Sequence, residues 1–296
     1  MKTKKYSFTG QEELEYKIAG VRLGLLMHLS IENSGCREIG ELGANELHLD
    51  RKRASFIINR RIRGMAGRKR LGAAWLVIDP IATSMVYLFV FTVIRSNPDI
   101  ASILMGIGMY RIFQSSFNSG IISVKDFSGG IKGERVRTRV LRKSMVAYRA
   151  VDNSLQSSGI GVILLVLGTP IKGVLAFLVL SQILGLISEG VALNLALLAK
   201  RVPDLTNLVR YSLLLMFFAS PALYPMSLAS GAHYRANEFN PFAFFIESAR
   251  FFSELDSVFA ELSPALMLVV LFPFCALSIR GYSTLDRQRW VVSRWS

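Results

Sequence analysis

Asp79, Arg111 and Glu189 are ionisable residues that lie at membrane depth within long apolar stretches of this 296-residue chain. A charge at hydrocarbon depth costs about 2.5–3.5 kcal/mol on insertion scales, so such a residue faces a protein interior or a water-filled path, or reaches for an interface. Asp79 stands near one end of its stretch, where reaching the headgroups would suffice; Arg111 and Glu189 lie deeper. They do not build the dense carboxylate and histidine chain of a proton-driven pump. Other chemistries lack their residues. His28, His48 and His233 form no cluster, and Cys36 and Cys275 sit in unlike surroundings with no C-x-x-C spacing, so neither a metal site nor a Ser–His–Asp arrangement is expected. The glycine-rich piece Gly129-Gly130-Ile131-Lys132-Gly133-Glu134 lacks both the lysine–hydroxyl ending and the preceding strand of a phosphate-binding loop. Asp79, Asp126, Glu134 and Asp152 are scattered among basic residues, unlike the carboxylate cluster a metal-dependent glycosyltransferase needs. The chain itself is expected to do no covalent chemistry.

The elements that position these residues are read from hydropathy. Half the chain is hydrophobic (51%), only 19% is charged, and mean hydropathy is +0.39. Charges gather in the first 70 residues, near 125–149 and at the C-terminus. About 20 apolar residues cross a bilayer, and six stretches fit: Leu71–Ile94, Ile100–Ile122, Val146–Leu167, Ile171–Leu198, Leu205–Leu223 and Leu262–Ile279. With the N-terminus inside, the inner segments hold 30 Lys/Arg and the outer ones four, with Arg111 inside a span. That bias places both termini in the cytoplasm. It also accounts for the net charge of +14 without nucleic acid, since the basic residues flank apolar spans. Val21–Leu29 contains Arg22 and His28 and does not read as a signal peptide.

The expected fold is therefore an all-α membrane protein with six transmembrane helices. Residues 1–49 form a polar cytoplasmic extension and 286–296 a cytoplasmic tail. Residues 50–69 read as an amphipathic interfacial helix. There Ala54, Ile58, Ile62 and Met65 share one face, Arg53, Arg60, Arg61 and Arg63 lie around it, and Asp50 stands at the start. The six spans occupy 70–285. Before the last span, Phe242–Phe252 is apolar but too short to cross, so it reads as re-entrant or interfacial. Aromatics crowd the outer half, among them Tyr87, Phe91, Tyr110, Phe113 and Tyr224. Such rings suit the apolar faces of sliding sugars, and equally a headgroup belt or helix packing.

Three stretches carry a resemblance. Arg70-Leu71-Gly72-Ala73-Ala74-Trp75-Leu76-Val77-Ile78-Asp79-Pro80 resembles the R-L-G-x-x-W-x-x-x-[DE]-P entry of type-2 ABC exporter permeases for capsular polysaccharide, O-antigen and teichoic acid. Ser220-Pro221-Ala222-Leu223-Tyr224-Pro225 is similar to the S-P-x-x-Y-P end of their fifth span. Asn240-Pro241 with Glu247 and Arg250 is similar to the segment before their last span. The three keep the family's order and spacing over about residues 50–285. The long N-terminal extension, Phe244 and Phe245, and Arg111 within span two depart from the pattern. The motifs also make physical sense. Gly72 permits close approach of chain segments, Trp75 suits the headgroup level, and Pro80 kinks a helix. Pro221 and Pro225 interrupt one, Asn240-Pro241 starts one, and Glu247 and Arg250 at i, i+3 can pair.

The resemblance implies a permease without cofactor of its own, in a bacterial inner membrane. A separate ABC ATPase subunit would carry ATP and Mg²⁺, and a second permease copy would complete a homodimer around a lipid-linked glycan. ATPase coupling is expected in 126–143, through Lys132, Glu134, Arg135 and Arg137, with the basic helix of 50–66 as the second candidate. The substrate path is expected along Tyr87, Phe91, Tyr110, Arg111, Phe113 and Tyr224. A drug or lipid exporter of the same architecture is the alternative.

Overall fold

The structure, a computed structural model, describes residues 44–65, 74–94, 99–130 and 138–287. The chain divides into two units, Met1–Lys52 and Arg53–Ser296. Of the described residues, the first unit holds only the opening turns of α1. Among the described residues every regular element is helical. In chain order they are α1 (Ala44–Met65), α2 (Trp75–Ile94), α3 (Ile100–Gly130), α4 (Thr138–Val166), α5 (Ile171–Arg201), α6 (Asp204–Ala219), α7 (Gly231–Glu238), α8 (Pro241–Phe252) and α9 (Pro264–Arg287). Short 3-10 turns lie at Met226–Leu228 and Phe259–Glu261.

Helix α1 begins six residues before the expected start, so Asp50 lies inside it and does not cap it. Part of its apolar face packs on α4, where Ala54 and Ile57 meet Val140 and Leu141. Arg61 places its guanidinium 5.7 Å from the Tyr148 ring, a cation–π distance. Phe56 stays 69% exposed.

Among the described residues two helical segments, Ile171–Ala196 and Pro264–Thr284, are long and apolar enough to cross a membrane. Helices α3, α4 and α5 have 31, 29 and 31 residues, about 44–47 Å at 1.5 Å per residue. They overshoot a hydrocarbon layer of about 30 Å. The expected third span therefore starts eight residues early, and its first turns project beyond the apolar run. Helix α6 is the reverse case. It has 16 residues, about 24 Å, and stops at Ala219 where Ser220-Pro221 breaks it.

Helix α5 is central and packs against α3, α4, α8 and α9. The main core joins Ile103, Ile107, Tyr110 and Phe113 of α3 to Ile160, Phe177, Phe217, Phe242 and Ile246. Two backbone approaches make this packing possible. A Cβ on Gly106 would overlap the Ala222 carbonyl oxygen, and one on Gly281 would overlap that of Gly190. At the second crossing α5 and α9 touch main chain to main chain. Outward, Val86, Phe89, Val93, Leu175, Val179, Leu268, Val269 and Phe272 are all exposed. Water would penalise such an apolar surface at about 25 cal/mol per Å², whereas lipid does not.

The cap at Asn240 is as the sequence implies. Its Oδ1 accepts from the Phe242 N–H at 3.1 Å, and Pro241 takes the first helical position. Pro80 lies inside α2 and Pro273 inside α9. Gly72 lies outside the described residues.

Candidate functional site

Charged side chains pair at several places among the described residues; Lys172 with Glu254 is exposed on both sides, and three others are each a different kind of ionic contact.

The first joins two of the sequence motifs. Arg250 Nη1 donates to Glu247 Oε1 at 2.7 Å and to the Tyr224 carbonyl at 3.1 Å, while Nη2 donates to the Ser102 carbonyl at 3.3 Å. Glu247 Oε1 accepts from the Met226 N–H at 3.3 Å and Oε2 from the Val258 N–H at 3.1 Å. Both side chains are 0% exposed. The i, i+3 pair is therefore no solvated surface contact. It ties the Ser220–Pro225 break, the loop after α8 and the start of α3 to helix α8, by engaging backbone groups in the loops and at the first turn of α3. Pro221 and Pro225 are buried beside it. Next to it, Tyr224 faces His233, whose Nε2 lies 2.7 Å from the phenol oxygen and 2.8 Å from the Ala219 carbonyl. The Asn237 amide also donates to that carbonyl, at 3.1 Å. Burial pushes the Tyr224 phenol above its usual range, against the opposing pull of Asn237 and Arg250, so it stays a neutral hydroxyl.

The second place links α3, α4, α5 and α9. Arg149 Nη1 donates to Asp152 Oδ2 at 2.6 Å. Its Nε stands 3.5 Å from Glu189 Oε1, an ion-pair distance too long for a good hydrogen bond. The Tyr282 hydroxyl lies 3.0 Å from the Leu186 carbonyl and 3.2 Å from Glu189 Oε2. Asn153 Oδ1 accepts from Ser116 at 3.2 Å, while Asn153 Nδ2 and Arg149 Nε find no hydrogen-bond partner. Two carboxylates share one guanidinium, and all three side chains are less than a tenth exposed. The sequence showed Arg149, Asp152 and Asn153 only as the polar beginning of a span, and nothing in it named Tyr282. The one available signal was the i, i+3 spacing of Arg149 and Asp152.

The third is Arg111 with Asp79. Arg111 Nη2 donates to Asp79 Oδ2 across α2 and α3. Here the side chains remain open, 24% exposed for Arg111 and 64% for Asp79. Arg111 is thus paired, and Asp79 has a partner in the bundle. Trp75, one turn earlier on α2, is 38% exposed.

The aromatic path expected from the sequence is largely core. Tyr110 and Phe113 are 4% and 3% exposed. Tyr110 lies 4.4 Å from Phe217 and 5.9 Å from Phe242, and its hydroxyl donates to the Leu213 carbonyl at 2.6 Å. Tyr87 is half-buried against Phe217 at 5.0 Å, and Tyr224 is half-buried in the His233 network. The Phe91 side chain lies outside the described residues, as do Lys132, Glu134, Arg135 and Arg137. On either side of those four, α3 runs on to Gly130 and α4 begins at Thr138. Residues 138–143 therefore continue into the long helix α4 and form no separate docking helix. Among the described residues no group of His, Cys, Asp and Glu is placed to hold a metal.

No curated protein matches the chain significantly. The family of ABC-2 type transporters matches residues 53–252, a segment that includes all three ionic contacts except the Tyr282 and Val258 partners. Its members are transporter membrane components, not themselves catalytic, that work with an ABC ATPase. A match over this much of the sequence makes the chain a member of the ABC-2 type transporter family and a transmembrane permease of an ABC exporter.

Proposed function

We propose that this permease moves a lipid-linked polysaccharide (capsule-like, O-antigen-like or teichoic-acid-like) outward across a bacterial inner membrane. The observation that carries the reading is that the Ser220–Pro225 and Asn240–Arg250 motifs, which resemble those of glycan permeases, are tied by one buried ion pair. The coherence of these motifs in space supports a shared architecture more strongly than each motif alone.

In this reading α2 to α6 and α9 are the six membrane helices, both termini are cytoplasmic, and α7 and α8 form the outer re-entrant segment. Two copies enclose the path. ATP and Mg²⁺ bind the partner ATPase, which engages the 131–137 segment between α3 and α4. Residue-by-residue labelling tests the topology. A cysteine at Gly168 should react with an impermeant reagent from outside, and one at Lys132 only after lysis; the reverse pattern would discard the orientation.

Deleting the gene and locating the cell's polysaccharide tests the function. Polymer accumulating inside and missing from the surface is the expected result. Unchanged surface glycan would move the drug or lipid exporter reading into first place.

A further inference from the structure

The three ionic contacts described above differ in how they are sealed. Glu247–Arg250 is 0% exposed on both sides and Arg149–Asp152 is 2% and 9%, whereas Arg111–Asp79 is 24% and 64%. Arg111 is the twelfth residue of α3, about 16 Å along that helix, and its partner Asp79 is the fifth residue of α2, about 6 Å along it, so in the six-span reading the pair lies between the middle of a hydrocarbon layer of about 30 Å and its inner edge. An ion pair open to lipid tails at that depth is strongly disfavoured. An open pair there needs water or a polar head group beside it. Its geometry is also incomplete. Asp79 engages Nη2 through one oxygen, Oδ2, where a fork-to-fork pair would use two on each side. A guanidinium with five N–H donors matches the oxygens of a phosphate.

We propose that Arg111 and Asp79 form an anion-binding site, in which Arg111 takes the phosphate group of a lipid and Asp79 is its displaceable counter-ion. The ligand class rests on the glycan-permease reading, because a lipid-linked glycan carries phosphate where sugar joins lipid. At rest Asp79 neutralises Arg111. An arriving phosphate, with more oxygens and more negative charge, replaces the carboxylate, and Asp79 turns to water. Asp79 sits about one turn into α2, so the exchange begins from the inner end of the path.

The test is native mass spectrometry of the purified full chain, counting bound polyprenyl phosphate against the neutral polyprenol of equal length. Wild type should retain the phosphate and not the alcohol. Arg111→Gln should weaken retention by about tenfold or more, as expected for losing a charge-assisted contact. Arg111→Lys should keep part of it. Asp79→Asn should tighten retention several-fold, since it removes the competitor. Opposite signs for Arg111→Gln and Asp79→Asn are the signature. A merely structural pair would make both variants weaker, and that result, like equal retention of the alcohol, overturns the site. Phosphatidylglycerol separates the sources: retention below that of polyprenyl phosphate assigns the group to a substrate carrier, and equal retention assigns it to bilayer lipid, with the anion site upheld in both. Retention is measured on the chain alone, so a deletion strain with normal surface glycan would refute the proposed substrate without touching this result.

Discussion

The two buried ionic clusters, one at Glu247–Arg250 and one at Arg149–Glu189, use the same residue types to different ends. The first is anchored on main chain. Its charges hold four backbone groups, at Ser102, Tyr224, Met226 and Val258, in loops and at the start of α3. Such partners cannot rotate away, so this end is a rigid junction. The second is anchored chiefly on side chains of four long helices. One guanidinium serves two carboxylates, one of them at a loose 3.5 Å, and an amide of Asn153 lacks a partner. Side chains on separate helices can exchange partners as the helices shift. Excess stability is a poor reason to bury charge. The difference teaches that the first cluster fixes a fold, while the second leaves the helices room to slide.

Breaking the rigid junction should have the largest effect. Arg250→Ala strands a buried carboxylate and should cost about 3–5 kcal/mol, read as loss of folded protein in detergent melts. A Glu247→Leu/Arg250→Met double variant should recover only part of that, because the backbone groups stay unsatisfied. Full recovery would reduce the junction to a simple pair. Gly281→Ala comes next. Its Cβ would run into the Gly190 carbonyl, and overpacking of this kind costs about 1–3 kcal/mol. Beyond melting temperature, it should depress transport by wedging α5 from α9. Tyr282→Phe removes one hydroxyl from the looser cluster and should cost about 1 kcal/mol, measured by the same melts. A loss as great as that of Arg250→Ala would erase the contrast between the clusters. Asn240→Ala, removing the cap of α8, should cost about 1 kcal/mol.

Much of the fold was legible in the sequence. The apolar runs located the long helices, the prolines at 221 and 225 located the break, and Asn240-Pro241 located the start of α8. The site was less so, for a physical reason. In a membrane helix the face toward lipid and the face toward the core are both apolar, so periodicity does not separate them. Tyr110 and Phe113 thus resembled a channel wall and proved to be core. Glu247 and Arg250 sit on a short helix between loops, where the same spacing on a soluble surface is solvated. Only the folding of α3 and the 220–226 segment over them made the pair buried. Glu189 and Arg149 are 40 positions apart, and no local pattern joins them.

The brevity of α6 reaches beyond the protein. Its outward residues Leu208, Tyr211, Leu214, Leu215 and Phe218 contact the surroundings, and the next residues along the chain, Ser220 to Leu223, are buried in protein. A helix of about 24 Å offers lipid less apolar height than a bilayer of about 30 Å supplies, and the bilayer answers such mismatch by thinning locally. As one of the six proposed membrane helices, α6 would sit in a pinched membrane, and bilayer thickness would act as a control on transport: thin-lipid vesicles would relieve the strain and thick ones would add to it with every methylene.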